Sequence, residues 1–119
     1  MGTELRITRC RAPRGVCRLV LAGQVDMDTA EHLARALDEV LADGGAPEVL
    51  AVDCSGLEFC GSAGLNELLR ARRAALAAGV AFRLAAPSPQ VTRLLQVTEA
   101  DTVFDVEDAD VSRLEGTAC

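Results

Sequence analysis

Lysine, tryptophan and tyrosine are absent from this chain, and histidine occurs once. Each absence removes a class of chemistry. Gly56 and Gly61 are spaced like the glycines of a phosphate loop and Ser62 follows, but that loop needs a lysine before its hydroxyl residue. Nucleotide hydrolysis by that route is therefore excluded. A nucleophile elbow needs glycine two residues before its serine, and Cys60 stands there instead. The single imidazole, His32, lies off the apolar stripe of its segment and is expected to be solvated, so no serine-hydrolase site is supported. A cysteine phosphatase loop would need arginine six residues after its nucleophile, and Asn66 occupies that place after Cys60. The chain is not expected to be an enzyme.

Aromatic residues are few, three Phe in all, so the core must be built from Leu, Val and Ala. No apolar run approaches the roughly 20 residues of a membrane-spanning helix. The start, Met1-Gly2-Thr3-Glu4-Leu5-Arg6, mixes its charges unlike a signal peptide. A cytoplasmic location with no membrane partner is the expectation. Basic charge is also short: the net charge is −6 and the pI about 4.7. That opposes binding to nucleic acid, which requires a basic face.

Five cysteines stand at positions 10, 17, 54, 60 and 119, with no Cys-x-x-Cys pair. They are expected to be free buried thiols, with no metal and no disulfide framework. Asp26, Asp28 and Asp53 could be read as a metal-binding carboxylate group. Helix capping for Asp28 and a strand end for Asp53 explain them more simply, and no cofactor is expected.

At 119 residues, half of them apolar, the chain is expected to form a single domain spanning 1–119 with its own core. Residues 4–10 and 16–22 read as two strands joined by the turn chemistry of Arg11-Ala12-Pro13-Arg14-Gly15. Asp28, with Glu31 three residues on, has the spacing of a capping box. Ala30, Leu33, Ala34, Leu37, Val40 and Leu41 then recur at helical period, and Gly44-Gly45 ends the helix. Val49-Leu50-Ala51-Val52 is an unbroken apolar run, suited to a strand buried on both faces. Asp53 to Gly61 reads as a loop anchored by Leu57 and Phe59.

A second helix is expected from near Ser62 to Ala78-Gly79, with Leu65, Leu68, Leu69, Ala75 and Leu76 on its apolar stripe. At its start a serine hydroxyl would cap unpaired N–H groups, in a place that tolerates an added phosphate. Arg70 and Arg73, one turn apart, could meet an acidic partner. Residues 80–84 form the next strand, and Ser88-Pro89 opens a third helix with Val91, Leu94 and Leu95. Val103-Phe104 could form a last short strand, and residues 105–119 a weak helix or an acidic tail. The β-β-α-β-α-β-α-β order predicts an α/β fold: a mostly parallel sheet of four to five strands with three to four helices and right-handed crossovers.

The stretch Val52-Asp53-Cys54-Ser55-Gly56-Leu57-Glu58-Phe59-Cys60-Gly61-Ser62-Ala63-Gly64-Leu65 resembles the signature of the STAS (sulphate transporter and anti-sigma antagonist) domains of bacterial anti-sigma factor antagonists. Gly23-Gln24-Val25-Asp26 followed by Thr29-Ala30 is similar to that family's first turn, and Pro87-Ser88-Pro89-Gln90-Val91 to its third helix start. The resemblance implies a partner switch. The antagonist binds an anti-sigma factor that is also a serine kinase, phosphorylation of the serine after the motif Asp separates the two, and a serine phosphatase restores the antagonist. That serine falls on Ser62. Gly61 stands where the family usually has Asp, and Ala63 where it usually has a second hydroxyl residue. The docking surface implied comprises Asp26, Met27, Gly61, Ser62, Ala63, Gly64, Leu65, Asn66 and Arg70. The departure at Gly61 also admits an alternative: a STAS scaffold subunit of a transport or signalling complex that is not phosphorylated.

Overall fold

The computed structural model describes residues 4–12, 15–42 and 47–107. Its strands are β1 (Leu5–Ala12), β2 (Val16–Val25), β3 (Val49–Cys60), β4 (Ala81–Ala85) and β5 (Asp105–Glu107). Its helices are α1 (Ala30–Ala42), α2 (Ser62–Ala77) and α3 (Pro89–Val97), with one 3-10 turn at Ala100–Thr102. The sheet order is β1-β2-β3-β4-β5. β1 runs antiparallel to β2, and every later pair is parallel. The expected element order and sheet type are both present.

Strand alternation sorts the sheet into two faces. Leu19 and Leu21 on β2, Leu50, Val52 and Cys54 on β3, and Phe82 and Leu84 on β4 enter the core with Leu33, Leu37 and Val40 of α1 and Leu65, Leu68, Ala71 and Ala75 of α2. The intervening positions turn the other way. There the Arg18 guanidinium, 2% exposed, donates to Glu107 Oε1 at 3.1 Å, and Arg83 donates to Glu107 Oε2 at 2.7 Å. Asp53 Oδ2 lies 3.9 Å from Arg18. These charges tie β2, β3, β4 and β5 together.

Several sequence expectations need correction. Residues 53–60 are the second half of β3, still paired with β2, and not a loop. Register shifts between Val20 and Ala22 and between Gly23 and Gln24 put two extra residues into β3 and break its two-residue period. Gly56 sits at the first shift, where a Cβ would come within 2.9 Å of Leu21 O. Leu57 is buried as an anchor, but Phe59 is 43% exposed. On α2, Leu76 is exposed while the rest of its expected stripe faces the core. The last strand is Asp105–Glu107, and Phe104 instead packs on Phe82 with ring centroids 6.0 Å apart.

The expected capping box at Asp28 and Glu31 does not form. Asp26 Oδ1 accepts from Thr29 N at 3.2 Å and from Asp28 N at 2.9 Å, while Asp26 N donates to Thr29 Oγ1 at 3.0 Å. This reciprocal pair is a capping box two residues earlier. Ser88 caps α3 as expected, accepting from Val91 N at 3.3 Å, with Pro89 in the first turn. Cys17, Cys54 and Cys60 are free and buried, but Cys10 is disulfide-bonded, a pairing that cysteine spacing alone does not reveal. The Gly44-Gly45 helix end, Pro13-Arg14 and residues 108–119 lie outside the described residues.

Candidate docking and phosphoacceptor surface

Because β2, β3 and β4 are parallel, their C-terminal ends open on the same side of the molecule, the usual position for a site in an α/β sheet. Val25 pairs with Cys60, and Gly61 N donates to Val25 O at 3.0 Å. The turn after β2 is thereby placed beside the start of α2. Asp26 and Thr29 hold that turn closed, and Thr29 Oγ1 also donates to Gln24 O at 2.9 Å. Met27, in the middle of the turn, projects into solvent and is 87% exposed.

Ser62 is exposed and is the first residue of α2. Its expected role as the cap is not what the structure shows. Gly61 occupies the cap position, in an extended conformation (φ −97°, ψ −172°), and no side chain bonds to the helix start. Among the described residues the Ser62 hydroxyl has no hydrogen-bond partner. The first intrahelical bond is Leu65 N to Gly61 O at 3.0 Å, so the preceding N–H groups remain open. The first turn of α2 carries no acidic side chain. An anion on Ser62 would meet open donors and the positive end of the helix dipole.

The residues proposed for docking do not all reach this surface. Asp26, Met27, Gly61, Ser62, Ala63 and Asn66 are exposed or partly so. Gly64 and Leu65 are buried: Leu65 is 7% exposed and belongs to the core, and Gly64 packs on Val25 and Cys60. They shape the surface from beneath and are not part of it. Arg70 is engaged internally, its Nε donating to Glu67 at 2.8 Å and its Nη1 to Asp38 at 3.1 Å. The bond to Glu67, then that to Asp38, raises the guanidinium pKa above its ordinary value.

Phe59 was not expected at the surface. Its ring rests over Gly61, where a Cβ would lie 3.2 Å from Phe59 Cε2. With Met27 it gives the patch an apolar component beside the hydroxyl. The thiols beneath are poor nucleophiles. Burial, with lesser contributions from Cys60 and Asp53, drives the Cys54 pKa strongly upward. Burial also pushes the Cys60 thiol up to about 11. Among the described residues no group of His, Cys, Asp and Glu could hold a metal ion, and no helix is long and apolar enough to cross a membrane. A cavity of about 360 Å³ between β1 and α1, lined in part by Arg9, His32 and Arg35, shares no residue with the Ser62 surface.

Comparison with known proteins places the sequence and the fold. A family model described as Mlab, STAS domain, matches residues 8–107. The anti-sigma-F factor antagonist RsfB of Mycobacterium tuberculosis is 34% identical over 90 residues, covering 76% of this chain and 71% of that protein. The crystal structure of an anti-sigma factor antagonist from Mycobacterium paratuberculosis superposes with a TM-score of 0.78 at 30% identity, covering 87% of this chain and 86% of that one. The Bacillus cell fate determinant SpoIIAA, in its phosphorylated form, shares the fold (TM-score 0.68, 18% identity, 92% and 99% covered). By sequence and by fold, the chain belongs to the STAS domain family of anti-sigma factor antagonists.

Proposed function

We propose that this chain is an anti-sigma factor antagonist that docks on an anti-sigma factor through the surface around Ser62 and is released when Ser62 is phosphorylated. The observation that carries this reading is the exposed Ser62 hydroxyl, without a partner among the described residues, at an open helix start and flanked by the projecting Met27 and Phe59 side chains. Relatives of more than a quarter identity are anti-sigma factor antagonists. A protein of the same fold exists in a phosphorylated form.

The physics is local. A phosphate adds a charge of about −1.5 to −2 at neutral pH. In the free protein it is solvated and faces the N–H groups of α2. Against a docked partner it must lose water without a matched counter-charge, which costs several kcal/mol. Each roughly 1.4 kcal/mol is tenfold in affinity. Dissociation needs no refolding. The partner is an anti-sigma factor with serine kinase activity, and a serine phosphatase completes the cycle. The chain itself performs no catalysis.

The test is phosphopeptide mapping after incubation with ATP and the kinase-active anti-sigma factor that co-purifies with the chain. One phosphate on Ser62 is expected, and none on Ser62→Ala. Phosphate at another residue would refute the site. Retention of transport subunits in place of a kinase, with position 62 unmodified, would favour the scaffold reading.

A further inference from the structure

β3 outruns its neighbour. It pairs with β4 only from Val49 to Asp53, yet continues to Cys60. Beyond Asp53 its β4-side backbone groups have no strand to bond among the described residues, and unpaired backbone groups in a buried setting are costly. The start of α3 takes over. Ser88 N donates to Cys54 O at 3.3 Å. Further along, the Gln90 side chain makes a two-point contact with one residue: Oε1 accepts from Cys60 N at 2.8 Å and Nε2 donates to Cys60 O at 3.1 Å. A carboxamide presents one acceptor and one donor side by side, as a neighbouring strand would. An ionised carboxylate or an aliphatic side chain cannot do both.

Cys60 is gripped on this side, and the next residue, Gly61, is gripped on the other by Val25 O. The two contacts fix the backbone immediately before Ser62. Gln90 is itself well anchored, in the first turn of a helix whose start is capped by Ser88 and stiffened by Pro89.

We propose that Gln90 is a positioning residue: its carboxamide sets the backbone of Cys60 and Gly61 and thereby the presentation of the Ser62 hydroxyl. The part concerning Ser62 chemistry rests on the function proposed above. Presentation matters because a displaced nucleophile loses rate even when docking is intact.

The experiment uses the full chain with Gln90→Met, which keeps length but removes both hydrogen bonds, and Gln90→Glu. Residue-resolved amide exchange is the first readout. Gln90→Met should speed exchange at Cys60 and Gly61 by about tenfold or more while Val52 and Leu84 hold their rates, the signature of a local opening. Gln90→Glu should behave likewise near neutral pH. After correction for intrinsic rates it should recover protection near about pH 4, where the introduced carboxyl regains a proton to donate. A merely space-filling role would show no such pH dependence. Unchanged exchange at Cys60 in Gln90→Met, or in Gln90→Glu at neutral pH should the first variant not fold, overturns the clamp. The second readout is phosphoryl transfer from ATP by the co-purified kinase: kcat should fall by about tenfold with KM within about twofold. Equal kcat in wild type and variant overturns the presentation role. A wild-type chain that accepts no phosphate on Ser62 counts against the proposed function instead, and the exchange data still decide the clamp.

Discussion

A Cβ on Gly64 would lie 2.6 Å from Val25 Cγ1 and 2.8 Å from Cys60 Sγ. Packing, and not backbone freedom, demands glycine there. Gly64→Ala should therefore destabilise the fold by about 1–3 kcal/mol, read as a lowered urea midpoint. Gly61 differs. Its Cβ would press only on the half-exposed Phe59 ring, with Val25 O at an ordinary 3.9 Å, and its φ is open to any residue. Gly61→Asp should keep stability within about 0.5 kcal/mol by the same assay. The two glycines of one motif thus answer to different constraints, which their spacing alone does not show. The start of α2 at Ser62 was legible from its place where a strand pattern meets a helical one. Gln90 was not, because it acts on a residue 30 positions away in the chain. Arg70 looked available in sequence because its partner Asp38 is 32 positions away, on another helix.

The elements repeat this lesson. Apolar periodicity located α1, α2, α3 and the first half of β3, because each buries a regular face. It missed the second half of β3, where two bulges replace alternation with inward residues three apart, Cys54, Leu57 and Cys60. It also misplaced the start of α1, because Asp28 has the right partner spacing but Asp26 wins. Asp26 Oδ1 accepts from the N–H groups of Asp28 and Thr29, and Asp26 N donates to the Thr29 hydroxyl oxygen in return. Asp26→Ala should cost about 1 kcal/mol in denaturant unfolding, and Asp28→Ala much less. An equal loss for both would contradict the assignment. The same box shapes the Met27 turn, so Asp26→Ala should also weaken docking.

For the whole molecule, the buried ion network and the thiols set how stability responds to change. Glu107→Gln removes the shared anion from buried Arg18 and from Arg83, and should destabilise by about 3 kcal/mol in urea titration. Burial pushes the Cys60 thiol up to about 11 in the folded protein from an ordinary 9.0. Its folded pKa is raised, so its contribution is intact below pH 9 and is lost as pH climbs from 9 towards 11, the unfolded chain shedding the proton first. With no lysine or tyrosine side chain to titrate in that range, a fall in Tm between pH 9 and 11 reports on thiols, and Cys60→Ala should lessen it, the remainder coming from buried Cys54, whose pKa is also driven upward. The central claim remains that charge gained at Ser62 separates two proteins without unfolding either. Calorimetric titration of the anti-sigma factor with the wild-type chain, Ser62→Ala and Ser62→Asp tests it most directly. Matching affinities for the first two and a loss of at least about tenfold for Ser62→Asp, at unchanged Tm, is the predicted result; equal affinity for all three would contradict the account.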